Sequence, residues 1–107
     1  GTYNVGYAGF ARSPTLLADG DTSATLHGTN TLKTQNTGAT LISTFSRGTP
    51  GQQYLIIAGD SNTTIDHDNF ANGFVTTTGA GITAGTWSSV LAVFLTDRLY
   101  EISRTAP

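Results

Sequence analysis

Apolar positions along this chain fall in short runs separated by glycine, asparagine, aspartate and proline, the layout of an all-β protein. From Ser23 onward the runs predict strands near residues 24–26, 31–34, 40–45, 53–58, 63–66, 74–77, 89–96 and 99–103. Turns are expected at 47–51, 59–62, 72–73, 79–81 and 96–98. Residues 96–99 read as a hairpin with Asp97 and Arg98 as its two turn residues, although neither is the glycine that such turns favour. This spacing predicts a small antiparallel β-sandwich, jelly-roll-like.

Several of these strands are apolar on both faces. In residues 88–97, Val90, Ala92 and Phe94 alternate with Leu91, Val93 and Leu95. In residues 53–58, Tyr54 and Ile56 oppose Leu55 and Ile57, and in residues 41–45 Ile42 backs onto Leu41 and Phe45. A two-layer sandwich buries one face of each sheet, so the second face needs a cover. A leading arm laid over one sheet, or a bulge that shifts the phase, would supply one. A short arm does not span three strands, however, so the sharper expectation is that another copy of the chain provides the cover. Leu91, Val93, Leu95, Tyr54 and Ile56 are the interface candidates. Burying three or four more large side chains at ~1.5–3 kcal/mol each contributes ~5–12 kcal/mol before entropy is subtracted.

Residues 1–23 are irregular, broken by Gly1, Gly6, Gly9, Pro14 and Gly20, and read as an N-terminal arm or linker. Tyr3, Tyr7 and Phe10 would be wasted in a free arm, so the arm is expected to pack on something. Residues 24–107 form the module proper, one domain by length.

Composition supports the β reading. The chain has 20 threonines and one glutamate, and is poor in helix-forming runs. Only 11% of its residues are charged, against about 25% in an ordinary domain, so short hydroxyl and amide side chains keep the surface wet. With a formal net charge of −2 and scattered basic residues (Arg12, Lys33, Arg47, Arg98, Arg104), no stripe exists for a nucleic-acid backbone. No run is long enough to span a membrane as a helix. The absence of cysteine removes thiolate chemistry and disulfides.

Three ordered segments carry a resemblance. The first is Thr40-Leu41-Ile42-Ser43-Thr44-Phe45 followed by Gly48-Thr49-Pro50-Gly51-Gln52. The second runs from Ile57-Ala58-Gly59-Asp60-Ser61-Asn62 through Thr63-Thr64-Ile65-Asp66-His67, and the third is Leu99-Tyr100-Glu101-Ile102-Ser103-Arg104. Together they resemble the small C-terminal module of phage tailspikes and tail fibres associated with right-handed β-helices. The family pattern has a tryptophan two residues before the closing glutamate; here Tyr100 precedes Glu101, and the chain's only tryptophan is Trp87. The resemblance implies a β-sandwich-like unit on a virion that knits three chains into a homotrimer and contacts host-surface glycan. The oligomer follows from the residue pattern, whereas the number three comes from the resemblance alone. An independent carbohydrate-binding module recognising a host polysaccharide is the alternative.

Candidate chemistry is sparse. Sugars bind flat aromatic faces ringed by short polar side chains, which makes Trp87, Tyr54 and Tyr100 the glycan-binding candidates; the plainer reading of Trp87, which opens a strand, is a plug for the end of the core. Asp66-His67-Asp68 has metal-ligand residue types, but on a strand its carboxylates face away from the imidazole, so no metal or other cofactor is expected. Asp60-Ser61-Asn62 reads as a turn that caps its own backbone. No pair among Asp60, Asp66, Asp68, Asp97 and Glu101 has a pattern that isolates it for glycoside hydrolysis, and no nucleophile motif is present, so the module is not expected to be an enzyme. Glu101 and Arg104 are expected to pair, within the chain or across a subunit boundary.

Overall fold

A computed structural model describes residues 9–10 and 13–107 of the chain. Tyr3, Tyr7 and Arg12 lie outside the described residues. The described residues form ten strands and no helix: β1 (Thr15–Leu16), β2 (Ser23–Thr25), β3 (Thr31–Lys33), β4 (Thr40–Ile42), β5 (Thr44–Ser46), β6 (Gln53–Ile57), β7 (Thr63–Ile65), β8 (Phe74–Val75), β9 (Ser89–Leu95) and β10 (Arg98–Thr105). The radius of gyration, 12.8 Å, is that of a compact unit of this length.

The pairing departs from an antiparallel sandwich. Five of the seven strand pairings among the described residues are parallel. β1 pairs with β3 and β3 with β6, β2 pairs with β5, and β4 pairs with β7, each between residues 17 to 24 positions apart in sequence. Strands that recur in the same direction at roughly constant spacing on three separate sheets describe the coils of a solenoid. The winding then stops. β9 returns antiparallel against β6, β10 turns back antiparallel against β9, and β8 joins the far side of β10 in parallel. The result is a six-stranded sheet in the order β1-β3-β6-β9-β10-β8, flanked by two two-stranded sheets.

Alternation decides what lies inside. In β9, Val90, Ala92 and Phe94 are buried while Leu91 and Val93 are half-buried, and in β6 Tyr54 and Ile56 are buried while Leu55 and Ile57 are half-buried. The core gathers Leu26, Leu32, Ile42, Phe45, Ile56, Ile65, Phe74, Ile82, Trp87 and Leu99 between the sheets. Ile42 and Phe45 do not sit on opposite faces. Ser43 separates β4 from β5 as a corner, so the pleat restarts and both side chains enter the core. The stretch assigned to an arm also contributes, since β1 joins the edge of the large sheet and Leu17 packs on the core.

The hairpin turn is displaced by one residue from its expected place. Leu95 pairs with Arg98, leaving Thr96 and Asp97 as the loop, and Thr96 adopts a φ of 62°. A positive φ at the first of two loop residues is what a type II′ turn demands, normally of glycine. The strand register overrides that preference here.

Candidate functional site

The outer face of the six-stranded sheet is the feature that the core does not absorb. Residues directly opposite in register share a face, so Leu55 stands beside Leu91, Val93 beside Tyr100, and Tyr100 beside Val75. All five are half-buried, and Leu95, paired with Arg98, is 45% exposed. The interface candidates therefore divide: Leu91, Val93 and Leu95 lie on this outer face. Tyr54 and Ile56 are corrected to core residues, because strand alternation turns them inward.

The glycan candidates divide in the same way. Trp87 is 3% exposed and its indole Nε1 donates to the Thr63 carbonyl at 3.0 Å. Tyr54 is 1% exposed and its hydroxyl accepts the Thr49 amide at 2.9 Å. A ring with no open face cannot stack on a sugar, so both are structural anchors with a satisfied polar tip. Only Tyr100 keeps a partly open ring.

Beside the apolar face run two polar assemblies. One joins successive coils. Asp60 accepts from the Asn36 amide (2.7 Å), the Asn62 amide (2.8 Å) and the Thr63 hydroxyl (2.8 Å). Asn36 in turn donates through Nδ2 to the Thr63 hydroxyl at 2.7 Å and accepts the Gly20 amide at 2.7 Å. One coil up, Asp19 accepts both the amide and the hydroxyl of Thr37. Partial burial pushes the Asp60 carboxyl up, but the Asn36 and Asn62 amides and the Thr34 and Thr63 hydroxyls outweigh it and hold it below its ordinary value. Asp60 does cap its own turn, as expected of Asp60-Ser61-Asn62, and it also ties that turn to the coil before it.

The other assembly closes the end of the last strand. The register of β9 and β10 shifts between Glu101 and Ser103, a bulge that places Ile102 outside the ladder. On an uninterrupted strand, residues three apart face opposite ways; the extra residue brings Glu101 and Arg104 to one side. Arg104 then grips the carboxylate with two nitrogens, at 2.6 and 2.7 Å, and the amide and hydroxyl of Thr77 complete the set at 2.9 and 3.1 Å. The Glu101 side chain is 1% exposed. Burial raises its pKa, and the Arg104 fork with the Thr77 donors more than reverses this, leaving the carboxyl below its ordinary value.

His67 and Asp97 are engaged locally. His67 accepts the Thr76 amide at Nδ1 (3.1 Å), which requires that nitrogen to be unprotonated. Asp97 pairs with Arg98 at 2.8 Å. Among the described residues no group of three or more His, Asp or Glu is placed to hold a metal ion.

Two residues that matter in the structure escaped the sequence reading. Asn36 carried no local signal, because its partners lie 16 to 27 positions away. Phe70 did carry one, as an aromatic set among Asp68, Asn69 and Asn72 just before a turn. No protein-family model, curated protein or solved structure matches the chain.

Proposed function

We propose that the chain is the C-terminal module of a phage tailspike or tail fibre, a structural element that holds three chains together and contacts host-surface glycan. The outer face of the large sheet carries this reading. Leu55, Leu91, Val93, Leu95 and Tyr100 form a continuous, partly exposed apolar strip on one side of β6, β9 and β10, and contiguous apolar surface left open to water favours association. The change from parallel coils to an antiparallel hairpin favours a terminal position as well, since β9 and β10 end the winding that β1 to β7 begin. Two further expectations come from the resemblance of its motifs to such modules: the stoichiometry of three and the location on a virion. In this reading the module catalyses no reaction, and its partners are two more copies of itself and a polysaccharide.

Light scattering on the purified chain tests the assembly. A mass of three chains at micromolar concentration is expected, with the double variant Leu91→Lys, Val93→Lys falling to a single chain while its far-ultraviolet circular dichroism stays that of the parent. A parent protein that remains one chain at these concentrations removes the proposal.

A further inference from the structure

Phe70 is 72% exposed, more than any other large hydrophobic residue described, on a loop that is tightly held. Arg98 donates through Nη1 to both the carbonyl (2.8 Å) and the side-chain oxygen (2.9 Å) of Asn69. The Asn72 amide donates to the Asp97 carbonyl at 2.7 Å, its carbonyl accepts the Phe45 amide at 2.7 Å, and the Gly73 amide donates back to the Phe70 carbonyl at 2.9 Å. Asn72 takes a φ of 63°, and a side chain at Gly73 would collide with the carbonyl of Asp68. The backbone on both sides of the ring is thus held from three directions: the β9–β10 turn, β5 and its own loop. A loop with freedom to do so would fold such a ring back onto the protein; this one presents it with its backbone already ordered.

The make-up of the loop that carries the ring narrows the ligand. Its loop neighbours are Asp68, Asn69, Ala71 and Asn72, with Asp97 and Arg98 holding the loop. A protein hot spot sits inside an apolar collar that excludes water, and only Ala71 is apolar here. An aromatic face bordered by amides and carboxylates matches the C–H face and hydroxyl rim of a sugar. Asn69, with Oδ1 taken by Arg98, has its NH2 left to donate. Asp68 and Asp97 against Arg98 leave the locality slightly negative, which disfavours acidic saccharides. We infer that Phe70 is the stacking platform of a carbohydrate site for a neutral sugar residue of a surface polysaccharide, with Asn69 and Asn72 bonding its hydroxyls. This site rests on the glycan-contact part of the proposed function and is independent of the trimer.

The test is a printed array of neutral and acidic bacterial O-antigen and capsular oligosaccharides, followed by titration of the strongest neutral hit against the parent, Phe70→Ala, Phe70→Trp and Asn72→Ala. The parent is expected to bind a neutral oligosaccharide. Phe70→Ala should weaken it at least tenfold, Asn72→Ala by several-fold, and Phe70→Trp should hold or tighten it, all with unchanged melting temperature and solution mass. No array binding by the parent overturns the inference, as does equal binding by Phe70→Ala or a preference for acidic saccharides. A fall in solution mass on Phe70→Ala, with glycan binding retained, would instead assign the ring to a protein contact. The trimer is judged by the parent's mass and the sugar site by the array, so either can fail without the other.

Discussion

The coiled part of the molecule, β1 to β7, and its antiparallel end, β9 and β10, are held together by different means. In the coils the strands are two to five residues long, too short for ladder bonds alone to fix them, and polar side chains reach from coil to coil. Thr34, Asn36 and Thr63 are buried and bonded there, and no buried side-chain nitrogen or oxygen among the described residues lacks a partner. At the end the strands are seven and eight residues long and carry the packing themselves, with one buried carboxylate fastening the loop at Thr77. The abundance of threonine and asparagine thus reflects coil stacking as much as surface wetting, whereas the alternating aliphatic run belongs to the terminating hairpin. A short coil strand specifies its neighbour through side-chain hydrogen bonds, and a long strand does so through its backbone.

The seam between these regions is where the comparison breaks most readily. Phe45 of β5 and Phe74 of β8 meet with ring centroids 5.5 Å apart. Phe45→Ala is expected to cost about 3–5 kcal/mol, with chemical denaturation remaining a single transition by fluorescence and circular dichroism. Two separated transitions would show that coils and end fold as independent units.

Within the coils, Gly59 lies against the Thr34 carbonyl with no room for a β-carbon. Gly59→Ala should cost about 2–3 kcal/mol in the same measurement, because a backbone group yields less easily than a side-chain tip. At the end, Glu101→Gln is expected to cost about 2 kcal/mol, since Arg104 sits at the rim and can turn to water. Its signature is local: amide exchange at Thr77 accelerates while exchange at Leu32 and Ile56 follows global stability.

Acid acts on both regions with the same sign. Asp60 and Glu101 are each held below their ordinary values in the folded protein. Their contribution is complete above the unfolded carboxylate range, about 4, and is lost as pH falls through the lower folded values. Stability at pH 7 and pH 5 should therefore be similar, with a decline beginning below pH of about 4.5. Asp60→Asn and Glu101→Gln should each flatten that decline, and a decline as steep in both variants as in the parent would refute the assignment. The smallest effect is at the hairpin. Asn tolerates a positive φ better than a β-branched residue, so Thr96→Asn should raise stability by about 0.5 kcal/mol, read as a shift in the denaturation midpoint.

Much of the strand inventory was legible from the chain. The runs at 53–58, 63–66 and 89–96 became Gln53–Ile57, Thr63–Ile65 and Ser89–Leu95. The run at 40–45 concealed a corner, because Ser43 gives no stronger break signal than the serines inside strands. β1 was hidden in a stretch rich in glycine and proline, where two residues suffice to extend an existing sheet edge. For the candidate sites, the outer apolar face was visible in the alternation of Leu91, Val93 and Leu95. The position of Trp87 at the opening of a strand pointed to the core plug it forms, whereas the burial of Tyr54 was not visible, since an aromatic ring inside a strand looks alike in sequence whether it faces the core or water.

The residues alone were enough to show that the chain is all-β, where most of its strands run, and that successive positions of β6 and β9 alternate between two faces, because a two-residue period is a local property of the pleat; which of the two apolar faces turns inward was settled by the neighbouring sheets. Only the tertiary structure decided that most strands pair in parallel, that Asn36 bonds across coils, and that a bulge brings Glu101 to Arg104. Those outcomes depend on which distant backbone lies alongside, and the backbone donors and acceptors that make the choice are the same at nearly every residue.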